Sequence, residues 1–260
     1  MRLAGVVRSF AMRPFRRLLV LLALALPTAA HADSAPPDSG RFIVFQGDMP
    51  VANEKFVFQF LGDSLALTAV SRRTMQDEQG QRHNFVKTML LVADVRDLGL
   101  QRYLSQQEFR GDIIQRALVP GDTSVSFYFE ENGRGEAYRL VQPPGRLYVM
   151  DSPMFSLFEV VTRGLVGKTF SSRRMQLLAL TDSMSTPLAT VTALKPDTLQ
   201  VGERRVPVRR YKFEDSSASF ELFADSRGRL IRLVHEPSGL HVEREPDPVA
   251  ASSSKKPKKK

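Results

Sequence analysis

The chain has 260 residues, with 37 basic and 28 acidic side chains, 17 phenylalanines, nine methionines, and neither cysteine nor tryptophan. Without cysteine it forms no disulfide or thiolate metal site and offers no lipobox residue for acylation. The basic excess sits at the two ends, and residues 33–254 carry 27 basic against 28 acidic side chains, which weakens a reading as a nucleic-acid-binding domain, since that needs a basic face on the folded part.

Arg2, Arg8, Arg13, Arg16 and Arg17 precede an apolar run from Leu18 to Leu26, which Pro27 closes. Ala30-His31-Ala32 then supplies the small-x-small pattern read by signal peptidase. Residues 1–32 are therefore expected to be an export signal, cleaved after Ala32, that delivers the protein to the periplasm. The apolar run is too short to span a bilayer, which takes about 20 residues. Arg16-Arg17 fits the twin-arginine route, but Phe15 stands where that motif prefers Ser or Thr, so ordinary unfolded export is the expectation. Residues 33–40 read as a flexible polar linker, 41–244 as a single β-rich domain and 245–260 as a disordered Lys-rich tail.

Alternation with short turns dominates the domain and predicts antiparallel strands. Phe42–Gln46 and Val51–Leu61 form a hairpin in which Phe56, Phe58 and Phe60 share a face, because successive strand residues point to opposite sides. Strands follow over Leu65–Arg73 and Asn84–Val95. A second hairpin joins Ser124–Glu130 to Glu136–Gln142 through Asn132-Gly133-Arg134-Gly135. After a strand at Arg146–Met150 the period changes. Ser152 is placed to cap a helix with Pro153 at its first position, and Phe155, Phe158, Val161 and Leu165 recur at helical spacing. Strands resume at Arg174–Leu180, Thr190–Leu194, Arg204–Phe213, Ser217–Ala224, Arg229–His235 and Leu240–Glu243. The expected fold is mainly β: a large curved antiparallel sheet or open barrel with one central α-helix packed on it.

Three segments carry a resemblance that covers roughly Gly40 to Arg244. They are the opening run from Gly40 to Phe56 (GRFIVFQGDMPVANEKF), the helix entry Asp151-Ser152-Pro153-Met154-Phe155, and the closing Tyr211-Lys212-Phe213 with Asp225-Ser226-Arg227-Gly228-Arg229-Leu230. Here the chain resembles uncharacterised periplasmic β-sheet proteins of the domain-of-unknown-function type. Their architecture is similar to that of the LolA and LolB lipoprotein carriers, and the resemblance implies a curved sheet and inserted helix around a greasy cavity. Having no cysteine, the chain is closer to the soluble member.

No catalytic constellation emerges. Gly-x-Ser-x-Gly is absent, Gly133-x-Gly135 and Gly164-x-x-Gly167 lack the context of a phosphate loop, and Glu130-Glu131 and Asp77-Glu78 lie in turns. No cofactor or metal is expected. His235 and His241 flank the Pro237-Ser238-Gly239 turn and can face each other, but surface histidines in an ordinary turn explain the spacing equally. The aromatic surplus leaves one candidate site: Phe56, Phe58, Phe60, Phe127 and Phe129 on the concave sheet, covered by Met154, Phe155 and Phe158, as a pocket for an apolar or lipid-like ligand. Two expectations stand side by side. One is a non-enzymatic envelope carrier, and the other is a structural or protein-interaction module whose core is fully packed. Lys255, Lys256, Lys258, Lys259 and Lys260 can attract an anionic surface or serve only as a solubility tail.

Overall fold

The computed structural model describes residues 37–180 and 184–246. The expected signal, the first half of the linker and all but the first two residues of the tail lie outside them. Asp38, Ser39 and Gly40, expected as linker, form the start of the first strand, because they pair with Phe58, Val57 and Phe56.

Eight strands form an unbroken antiparallel meander: β1 (Asp38–Gln46), β2 (Met49–Leu61), β3 (Ser64–Gln76), β4 (Arg82–Asp94), β5 (Leu100–Phe109), β6 (Asp112–Pro120), β7 (Ser124–Glu131) and β8 (Arg134–Val141). Its tight turns follow from residues able to take positive φ. Arg110-Gly111 and Asn132-Gly133 each place both central residues there, the geometry whose twist matches the flanking strands. The second hairpin therefore turns on two residues, and Arg134 and Gly135 belong to β8.

A short β9 (Leu147–Met150) leads into helix α1 (Ser156–Gly164), after which come β10 (Ser172–Leu180), β11 (Met184–Ser185), β12 (Leu188–Ala193), β13 (Asp197–Val201), β14 (Arg204–Glu214), β15 (Ser219–Ala224), β16 (Leu230–His235) and β17 (Leu240–Arg244). The chain's end closes on its beginning: β17 pairs with β1, and the sheet continues through β16, β15, β14, β12 and β10. β13 shares the edge of β14 with β12. Among the described residues β9 is the one parallel neighbour, alongside β10. It packs against β5, so the curled sheet closes back on its own middle. β6, β7 and β8 run on past that closure as a three-stranded wing.

Inside lies α1. Every residue of the helix except Arg163 is buried. Leu157 and Val160 face Leu91, Leu98, Leu147 and Val149, while Phe158 meets Phe213 and Phe220 with ring centroids 5.3 and 5.0 Å apart. One apolar core joins the helix to both halves of the sheet. At roughly 25 cal/mol per Å² of apolar surface, this burial is the main force curling the sheet around the helix.

Candidate functional site

All eight residues expected to line a ligand pocket come together in this core. Phe56 and Phe58 are 2% and 1% exposed, Phe127, Met154 and Phe158 are also buried, and Phe60, Phe129 and Phe155 pack against them at its margin. The rings are engaged with protein. Phe56 lies 4.7 Å from Phe42 and 5.9 Å from Phe58, and the guanidinium groups of Arg244 and Arg163 sit over Phe56 and Phe58 at 5.1 and 4.1 Å. The gap between α1 and the sheet at Leu91, Leu100 and Leu157 holds about 10 Å³, roughly the space of one water. An acyl chain has no room there.

The helix begins later than its local sequence predicts. Phe155 occupies the N-cap position, and no side chain nearby in sequence caps it. Instead Glu54, reaching from β2, accepts the backbone N–H groups of Phe155 at 2.6 Å and Ser156 at 3.0 Å. Two donors at the helix's positive end are thus satisfied by one carboxylate. Full burial nevertheless dominates and pushes the Glu54 carboxyl up to about 7.

Asp151, just before the helix, has a different task. Its carboxylate accepts from Lys87 of β4 and from Tyr103 and Ser105 of β5, and Lys87 also donates to the Ser152 carbonyl at 2.8 Å. The Lys87 and Asp151 side chains have no exposed surface. Burial pulls the Lys87 ammonium down against the opposing pull of Asp151, and pushes the Tyr103 phenol well above its ordinary value. Glu54, Ser71 and Lys87 stand side by side on three neighbouring strands, facing inward.

Further along α1, the buried Glu159 binds Arg244 of β17 at 2.7 Å, Arg163 at 2.6 Å and the backbone N–H of Leu230 at 3.3 Å. Arg163 also bonds Asp38 of β1, and Thr162 donates to the Gly228 carbonyl at 2.7 Å. Burial raises Glu159, while Arg244 and Arg163 oppose it. These groups tie the helix to β1, β2, β4, β17 and the β15–β16 turn. Apart from the Asp38 end of the Arg163 pair, which reaches solvent, they are shielded by the sheet and are placed to fix the helix as a plug inside it.

The histidines are spread over the surface. His83 bonds Asp77 at 2.7 Å, His241 stacks on Phe45 at 4.7 Å, and His235 meets Ser238 at 2.6 Å within its own turn. Among the described residues no carboxylate joins the His235–Ser238 pair.

A recess of about 260 Å³ opens at the C-terminal end of α1 between Phe60, Leu65 and Leu98 of the sheet side and Arg163, Gly164 and Val166, and the larger spaces lie on the outer face. A groove of about 640 Å³ crosses the outer face of β1–β4 at Arg41, Lys55, Val57, Val70 and Thr88, and another of about 490 Å³ lies on the wing at Ala117, Val119, Tyr128, Ala137 and Arg139. Sequence reasoning missed both, since their side chains fall on the solvent phase of their strands.

No family model matches the chain, and no curated protein matches it. Among solved structures it is similar to a β-barrel-like protein of the domain of unknown function DUF1849 from Brucella abortus. The TM-score is 0.52 and the identity 8%, over 80% of this chain and 94% of that one. A DUF1089 family protein from Pseudomonas aeruginosa gives a TM-score of 0.43 at 16% identity, over 79% of this chain and 94% of that one. The first likeness shows the fold alone: this chain's mainly antiparallel sheet with one helix belongs with a β-barrel-like architecture.

Proposed function

We propose that the protein is a non-enzymatic, exported envelope component that works through its outer surface as a protein-interaction module. The carrying observation is the close packing of the helix on the sheet. A LolA-like carrier needs a cavity between the two, and here the space beside Leu157 and Val160 is about 10 Å³, with Phe56, Phe58 and Phe158 already packed against protein, while the larger recess of about 260 Å³ lies at the open end of the helix, where Arg163, Asp97 and Lys168 share its lining with Phe60 and Leu65. The lipid-binding reading finds its largest space in the outer groove at Val57 and Val70, where Arg41 and Lys55 supply cationic ends for an anionic amphiphile.

Native mass spectrometry of protein purified from the periplasm, with organic extraction of whatever co-purifies, separates the two readings. The expected result is an apo mass and no uptake of added fatty acid, together with protein cross-links formed in the intact periplasm. Stoichiometric lipid would overturn the module reading, and photo-cross-linking to Val57 would then place it in the outer groove.

A further inference from the structure

β8 ends the sheet as an open edge. Of its eight residues only Leu140 is even half-buried, and among the described residues β8 pairs with β7 alone. Its outer backbone N–H and C=O groups form a row ready to pair with another strand, a hazard that proteins otherwise cover or blunt. No proline or bulge interrupts the strand, and Tyr138 and Val141 are exposed hydrophobics on it.

The side chains beside this edge are shaped for a neighbour. On the outer face of β8 the small Gly135 and Ala137 are followed by Arg139 and Val141. Ala137 lies opposite Tyr128, and Tyr128 opposite Ala117. Arg139 lies opposite Ser126, and Ser126 opposite Val119. With Ala137 at the edge and Tyr128, Ser126, Ala117 and Val119 behind it, a groove of about 490 Å³ is left on this face of the wing. Arg139 lines this groove, and no carboxylate among the described residues pairs with it.

Resting on the module reading above, we propose that β8 is the docking edge. It takes an extended segment of another polypeptide as an added antiparallel strand, whose outer face reads apolar, acidic, apolar. The acidic residue pairs with Arg139, the apolar residue opposite Ala137 reaches over the small Ala137 toward Tyr128, and the third covers Val141. Main-chain bonds supply affinity and the alternate side chains supply choice.

A second copy of this chain fits worse. A two-fold axis between antiparallel β8 strands runs perpendicular to the sheet, so inner faces must meet inner faces and residues of like parity oppose each other. Centred on Ala137 the pairing sets Arg139 against Gly135, and centred on Tyr138 it sets Arg139 against Ala137. Centred on Glu136 or Arg139 it opposes like charges, which destabilises a cross-strand pair. None of these registers gives Arg139 an acid.

The test uses the full chain and two peptides, acetyl-VTETFTV-amide and its lysine counterpart acetyl-VTKTFTV-amide, with amide hydrogen exchange and titration by NMR. The expected result is slowed exchange and shifted resonances confined to β8 and β7. The Glu peptide should bind roughly five- to tenfold more tightly than the Lys peptide, with the order reversed in Arg139→Glu. Ala137→Phe, a surface change that fills the groove from within, should abolish binding of both. Equal affinity for the two peptides, perturbation elsewhere, or no slowed exchange at millimolar peptide would overturn the proposal. If the peptides fail while periplasmic cross-links still map to another face, β8 is wrong and the module reading stands. If cross-links to protein fail as well, both fall.

Discussion

Glu54 is a carboxylate in a site that prefers it neutral. Its pKa rises from 4.5 to about 7 because burial costs the charged form more than the Phe155 and Ser156 N–H groups return. Between those two values the folded state holds a proton that the unfolded state has lost, so stability must fall as pH rises through that window. The stabilisation is complete below pH 4.5 and gone above about 7, a change on the order of 3 kcal/mol. Glu54→Gln stays neutral and keeps one acceptor for the helix end, so urea titrations from pH 5 to 8 should show a much shallower slope in the variant. The raised Glu159 leaves a residual slope of the same sign. A wild-type stability that climbs over this range would refute the assignment.

At the scale of elements, α1 is positioned by what lies far from it in sequence, and one contact shows how tightly. Gly228 sits at φ +80°, and a Cβ there would come within 2.7 Å of the Arg163 Cα and 2.9 Å of the Thr162 carbonyl. Gly228→Ala would combine a left-handed backbone penalty with a clash against the helix that cannot be relieved by a side-chain rotation. The expected loss is at least about 2 kcal/mol in denaturant unfolding, and a loss below about 0.5 kcal/mol would mean the helix can shift away from the β15–β16 turn. The same long reach explains what the sequence hid. The strands with clean alternation, such as Phe56, Phe58 and Phe60 in β2, are legible from period two alone. β5 and β6 are not, because Ser105, Gln107 and Arg116 put polar groups on the inner face beside the Lys87–Asp151 pair and erase the alternation. Ser152 looked like a cap by local rules, but the cap is Glu54, set by strand register. Lys87 was the readable clue to the buried polar row. It lies in phase with the inward Phe85, Met89 and Leu91, and a lysine there requires an acid to meet it.

For the whole molecule, the decisive physical question is whether α1 ever leaves the barrel. If the plug and the curled sheet form one cooperative unit, the backbone amides of Leu157 to Val161 are freed only when β3 and β4 are, and hydrogen exchange should give both segments the same opening free energy, near that of global unfolding. β8 should exchange orders of magnitude faster, since it has one neighbour and almost no buried surface. The polar locks at Glu54, Glu159 and Thr162 argue for a single unit, because withdrawing the helix would strand buried Lys87 and Arg244 together with their partners, at several kcal/mol each. Should the helix amides instead exchange as fast as β8 while β3 stays protected, the plug moves independently of its sheet. The space it vacates, lined by Phe58, Leu91 and Phe213, would then become a cavity of the kind a carrier uses.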